Sequence, residues 1–210
     1  MANEYYTNFN VDDVRLMYSL GVSHALLRFL LQKQGLPEPD YLSGENPTAT
    51  PALSRAEIEI LRAGGAIWLD EDIPDGPSDI CTMAGEILHE CRLLVDHSYD
   101  QFTVAKILRI SPEEAVTRSQ AERADLYAFQ PGDGRWRFPH WQFDGASTIP
   151  HLQSLLAAAR KTVPVNPLVL YRFFLSKTSD LEHGTEYLSP RSWLVGELDP
   201  GPVLQLAQDL

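Results

Sequence analysis

Residues 102–145 read FTVAKILRISPEEAVTRSQAERADLYAFQPGDGRWRFPHWQFDG, and the fold turns on this stretch. Its opening, 102–108, suits a short helix with Val104, Ala105 and Leu108 facing inward. Arg109, Ile110 and Ser111 make a turn. Ser111 then caps a second helix whose first residue is Pro112, and Glu114 stands at the third position, the spacing of a capping box. Helix, short turn and capped helix together form the helix-turn-helix pattern. Residues 126–129 read as a strand, 131–134 (PGDG) as a turn, and 135–138 as a returning strand. Side chains alternate along a strand, so Arg135 and Arg137 share one face while Trp136 and Phe138 share the other. The fold class expected is mainly α with a small β-hairpin wing: a winged helix-turn-helix joined to a helical C-terminal subdomain.

In such an arrangement the second helix enters the major groove of double-stranded DNA and wing cations hold the backbone. The side chains suited to base edges or phosphates are Thr103, Thr117, Arg118, Gln120, Arg123, Arg135 and Arg137. Arginine offers a bidentate fork to guanine, and glutamine offers one to adenine. Glu113 and Glu114 would repel phosphate if they faced it, unless they serve only to cap their helix. The competing account of the same residues is a wing-like hairpin whose arginines are structural.

Charge is distributed unevenly around this segment. The 210 residues carry a formal net charge of −12, which excludes a uniformly basic nucleic-acid wrapper but not a local DNA-reading face. Residues 1–101 hold 6 basic and 17 acidic side chains, whereas 102–145 hold 6 of each and 146–210 hold 5 and 6. A polyanion would therefore meet the middle of the chain, where Lys106, Arg109, Arg118, Arg123, Arg135 and Arg137 fall close together.

Several function classes find no support. There are 2 cysteines, too few for a disulfide framework in a chain of this length. The N-terminus lacks the pattern of a signal peptide, and no apolar run is long enough to span a membrane, so a cytoplasmic chain is expected. No nucleophile elbow, P-loop, dinucleotide fingerprint or HExxH motif occurs, and no enzyme activity is expected. Cys81, His89, Cys91 and His97 cluster in sequence, but their spacing matches no common zinc module. Neither a metal nor another cofactor is expected.

Outside the central segment, residues 11–34 carry apolar side chains at helical spacing, with Gly21 kinking or dividing the run and Gly35 as a stop. Residues 35–52, with four prolines, read as a loop or linker. Ser54 and Glu57 have capping-box spacing for a helix ending near Gly64 and Gly65, followed by an acidic loop over 69–79 and a longer helix over about 80–96. After Pro150 a helix places Leu152, Leu155, Leu156 and Ala159 on one side. Asn166 and Pro167 open a strongly apolar helix, and Ser189 and Asp199 precede two more. The organisation expected is an N-terminal helical segment and linker over 1–50, a helical region leading into the helix-turn-helix over 51–145, and a helical domain over 146–210.

Four stretches carry a family resemblance: LSRAEIEILRAGG at 53–65, FTVAKILRISPEEAV at 102–116, DLYAFQPGDGRWRFPHWQF at 125–143 and LSPRSWLVGELDPGPVLQLAQDL at 188–210. Together they resemble bacterial antitoxin-like DNA-binding proteins of type II toxin-antitoxin systems. The last stretch is similar to the closing helices of the Xre/MbcA/ParS toxin-binding domain. The resemblance implies an antitoxin that binds a cognate toxin through its C-terminal part and represses its own operon through the helix-turn-helix; a homodimer is expected because paired half-sites match two-fold symmetry. Toxins paired with such antitoxins are often of the RES class, which acts on NAD. On this resemblance the toxin contact falls to Arg191, Trp193, Leu194, Leu204 and Leu210. One departure is local: Ser119 and Gln120 stand where the family pattern packs an apolar residue. The alternative is a protein-interaction adaptor whose winged fold no longer binds DNA.

Overall fold

Asn10 starts the first element by accepting a hydrogen bond from the Asp13 amide (2.9 Å) while the Asp13 carboxylate accepts one from the Asn10 amide (3.2 Å). This reciprocal capping box satisfies two amides that a helix start leaves without partners. The structure, a computed structural model, describes residues 9–43, 77–159 and 166–210. The capped helix expected around Ser54 and Glu57 and most of the acidic loop before residue 77 lie outside the described residues. The chain divides into two compact units, Met1–Arg92 and Leu93–Leu210. The boundary expected near residue 145 falls inside the second of these.

In the first unit, α1 (Val11–Ser19) and α2 (His24–Gln34) are separate helices divided at Gly21, where φ is +80°. Ser23 caps α2, and Gly35 ends it in the left-handed region at φ +64°, a conformation that glycine adopts at least cost. Val14, Met17, Leu20, Leu26 and Leu30 are buried at the helical spacing read from the sequence, whereas Tyr18, Ala25 and Phe29 are only partly buried and Leu27 and Leu31 complete the buried face of α2. Asp13, itself buried, receives Arg92 Nη2 at 2.6 Å. Of the expected loop over 35–52, the described part, 35–43, contains one helical turn, α3 (Asp40–Ser43), which Arg28 holds by donating to the Leu42 carbonyl and to Glu38. The next helix, α4 (Pro77–Asp96), begins earlier than expected, within the stretch assigned to the acidic loop.

The second unit continues with β1 (Ser98–Asp100), α5 (Gln101–Leu108) and α6 (Pro112–Gln120). Asp100 caps α5 by accepting from the Thr103 amide at 2.7 Å, and Ser111 caps α6 by accepting from the Glu114 amide at 3.0 Å. These helices close on a core of Val104, Ala115, Leu126, Phe138 and Phe143, with Ile107, Leu108, Val116 and Trp136 packed around it. The expected wing is tied together differently from its sequence reading. Residues 126–129 and 135–138 meet at a single bridge, Phe129 with Arg137, through two backbone bonds of 3.0 and 2.9 Å. The returning strand, β2 (Arg137–Pro139), pairs antiparallel with β1, with Tyr99 opposite Phe138. The pairing thus anchors the hairpin to the entry of the helix-turn-helix.

A 3-10 turn (His140–Gln142) leads to a short hairpin of β3 (Phe143–Asp144) and β4 (Ser147–Thr148). Three helices and a small hairpin follow: α7 (Leu152–Ala159), α8 (Pro167–Leu175), β5 (Glu182–His183) with β6 (Glu186–Tyr187), and α9 (Pro190–Val195). The last element is α10 (Gly201–Gln208), which packs on α7. Leu152, Leu155, Leu156 and Ala159 are all buried, so that side of α7 faces the core as the spacing required. Trp141 stacks on Phe174 of α8 at 3.9 Å between ring centroids, so the segment after β2 shares one core with the C-terminal helices. The architecture is mainly α with small antiparallel two-stranded sheets. Among the described residues no helix is long and apolar enough to cross a membrane.

Candidate functional site

The turn between α5 and α6 passes through Arg109, whose φ of 56° and ψ of 45° place a non-glycine residue in the left-handed region. An L side chain there costs about 1 kcal/mol relative to glycine. Arg109→Gly is therefore expected to raise stability by about 1 kcal/mol in a urea titration. An unchanged or lowered midpoint would show that the turn is not strained.

The buried face of α6 consists of Ala115 and Ser119. Ser119 turns its hydroxyl onto the Val116 carbonyl at 2.7 Å and so buries without an open donor. The opposite face presents Glu113, Glu114, Thr117 and Gln120 to solvent. The Glu114 carboxylate makes no return bond to Ser111, so its charge stays on that face. The Thr117 hydroxyl donates to the Glu113 carbonyl at 2.9 Å, and Gln120 is exposed at the helix end.

The arginines divide into two groups. Arg118 makes a bidentate pair with Asp125, Nε to Oδ1 at 2.9 Å and Nη2 to Oδ2 at 2.6 Å. This contact raises the guanidinium's already high pKa and leaves the group half-buried. Arg137 Nη2 reaches Asp133 Oδ2 at 3.1 Å, while its Nε is buried without a hydrogen-bond partner among the described residues. Arg123 and Arg135, by contrast, are exposed and their side chains have no ion-pair partner among the described residues. Lys106 and Arg109, which the sequence placed in the basic cluster without a base or phosphate role of their own, share that state. The alternation expected for the returning strand is kept in one respect: Phe138 and Trp136 pack on the core. Thr103 contributes its amide to the Asp100 cap, and its side chain is half-buried. That hydrogen bond, with the Thr103 hydroxyl, holds the Asp100 carboxyl below its ordinary pKa.

His140 lies next to this unit's small sheet, with its ring 3.9 Å from that of Tyr99 and 6.2 Å from that of His97. Burial first, and then the charge of His97, hold its pKa below the ordinary value of 6.5. The unfolded chain then takes up this proton at higher pH than the folded one. Stability from this group is complete above about pH 6.5 and is lost as pH falls through the folded value. Urea midpoints are expected to drop as pH falls below about 6.5, and His140→Phe is expected to flatten that drop.

The residues assigned to a protein partner are also divided by the structure. Arg191 is engaged inside the fold, donating from Nε to the Trp141 carbonyl (3.1 Å) and from Nη2 to the Phe143 carbonyl (3.0 Å). Leu194 is buried in the core. Trp193 is half-buried and donates to the Asp199 carbonyl at 2.6 Å, and Leu204 is half-buried. Leu210 is 40% exposed. It lines an open groove of about 470 Å³ together with Val169, Phe173 and Leu206, flanked by Arg172 and Lys177. Sequence reading missed this groove because the apolar run of α8 looks the same whether its residues enter the core or leave it.

Of the cluster on and after α4, Cys91 is buried while His89 and His97 are exposed. Among the described residues no group of three or more His, Cys, Asp or Glu side chains could hold a metal ion. No protein-family model, curated protein or solved structure matches the chain.

Proposed function

We propose that this chain is a homodimeric DNA-binding antitoxin, which represses its own operon through α5 and α6 and neutralises a cognate toxin through its C-terminal helices. The observation that carries the reading is the capped α5–turn–α6 pair, built on one core with a hairpin whose tip exposes Arg135. Lys106, Arg109, Arg123 and Arg135 supply four unpaired cations for phosphate, while Thr117 and Gln120 supply base-edge groups. A two-fold dimer places its α6 helices in half-sites about 34–36 Å apart.

Electrophoretic mobility shift against the DNA upstream of the gene tests it. Binding is expected to weaken with salt with a log–log slope of about −3.6 per protomer, one counterion released for each free cation. A flat salt dependence, or no shift at low salt, would remove the DNA half of the proposal.

A second reading is favoured by the acidic exposed face of α6 and by the neutralised Arg118: a protein-interaction adaptor with no DNA contact. Retention of a purified toxin on the immobilised chain, with no retention of the upstream DNA, would decide for it.

A further inference from the structure

Three α8 residues that line the C-terminal groove, Val169, Arg172 and Phe173, stand at i, i+3 and i+4, and the C-cap Ser176 follows at i+7. They form one continuous stripe along that helix. Facing them are Leu206 and Leu210, four residues apart at the end of the chain, and Pro190 closes one side. Val169 is 39% exposed and Leu210 40%. Large apolar side chains left this open side by side mark a surface that another apolar face covers. The groove is also electrically distinct from the rest of the chain. Its ionisable lining side chains, Arg172 and Lys177, are both cationic, in a chain of net charge −12.

We propose that this groove receives an acidic amphipathic helix of a protein partner. Its apolar face would lie between α8 and α10, and its carboxylates would meet Lys177 and Arg172. A paired apolar stripe is the receiving half of helix-in-groove recognition. The cations select against a basic helix of the same shape, because like charges at the rim are repelled on approach. The inference rests on the reading of the C-terminal helices as a partner-binding module and names the chemistry that the partner presents. It also moves the contact away from Arg191 and Leu194, which the fold uses internally, and onto Val169, Phe173, Leu206 and Leu210.

The test uses the full chain and a panel of synthetic helical peptides with leucine at i, i+3, i+4 and i+7. One set carries glutamate on the flanks, and the other carries lysine at the same positions. Fluorescence anisotropy at low salt is expected to show the glutamate set binding at least about tenfold more tightly than the lysine set. Val169→Asp, at an exposed position, is expected to weaken that binding by about tenfold, and Lys177→Glu by about threefold to tenfold. Thermal melts check that both variants keep the fold. Equal binding of the two sets, no binding by either, or binding indifferent to Val169→Asp would overturn the proposal. So would self-association in sedimentation equilibrium that Val169→Asp abolishes, which would assign the groove to a second copy of this chain. If a purified toxin bound both groove variants normally but lost binding on Leu204→Asp, the partner-binding reading would stand and this inference would fall.

Discussion

Replacing Gln142 with leucine is expected to destabilise the second unit by about 3 kcal/mol, a drop on the order of 10 °C in melting temperature. Gln142 is fully buried, and its amide is used from both ends. Nε2 donates to the Tyr127 carbonyl at 2.9 Å and the Pro139 carbonyl at 3.1 Å, while Oε1 accepts from the Tyr127 amide at 2.8 Å. One side chain therefore closes the backbone of the segment leaving α6 onto the segment leaving β2. Leucine fills a similar volume but leaves one buried amide and two buried carbonyls without partners, each costing about 1–3 kcal/mol. The apolar gain of leucine offsets part of that sum. Gln142→Glu keeps the acceptor for Tyr127 but loses both donated bonds, and it should be comparably damaging at neutral pH. Unfolding followed by tryptophan fluorescence reports the change directly, since Trp141 is the neighbouring residue. A leucine variant within 1 kcal/mol of the parent would mean that these backbone groups find other partners.

Gln142 also illustrates where sequence reading stops. Nothing in the run FPHWQF tells a buried amide from a solvated one, because the signal lies in Tyr127, fifteen residues earlier. Local chemistry was legible. Ser111 and Pro112 mark the start of α6, Gly21 divides α1 from α2, and the apolar spacing of α7 picks out its buried face. Each of those features is decided within one or two helical turns, by capping or by periodicity. The pairing of β1 with β2 was not legible, since Ser98–Asp100 is too short to show alternation and its partner strand lies nearly forty residues later. For the same reason the hairpin at 126–138 reads from sequence as a self-contained wing, whereas its second arm bonds chiefly to the entry of α5. The candidate site followed this division. Exposed Arg123 and Arg135 could be named from residue type and position, but the capture of Arg118 by Asp125 depends on the path of an irregular segment that has no period to read.

That capture makes charge at residue 125 a control over the proposed DNA contact. Substituting Lys106, Arg109, Arg123 and Arg135 together with alanine removes four counterion-releasing groups and is expected to lower affinity for the upstream DNA by about three orders of magnitude at 0.1 M salt. Arg118→Ala alone should lower it by up to about tenfold, because it leaves the Asp125 carboxylate without its guanidinium partner. Asp125→Asn works in the opposite sense. It frees Arg118 to meet phosphate, steepening the salt slope by about 0.9 and raising affinity by about tenfold at 0.1 M salt. Its cost in stability is small, because the pair is partly solvated, with side chains 31% and 38% exposed. The two changes thus move binding in opposite directions while leaving the core of Val104, Ala115, Leu126 and Phe138 untouched. An adaptor that never meets DNA would show neither shift. A chain in which Asp125→Asn left affinity unchanged while the four-alanine variant lost it would place α6 off the duplex, with the turn and hairpin cations alone on the backbone.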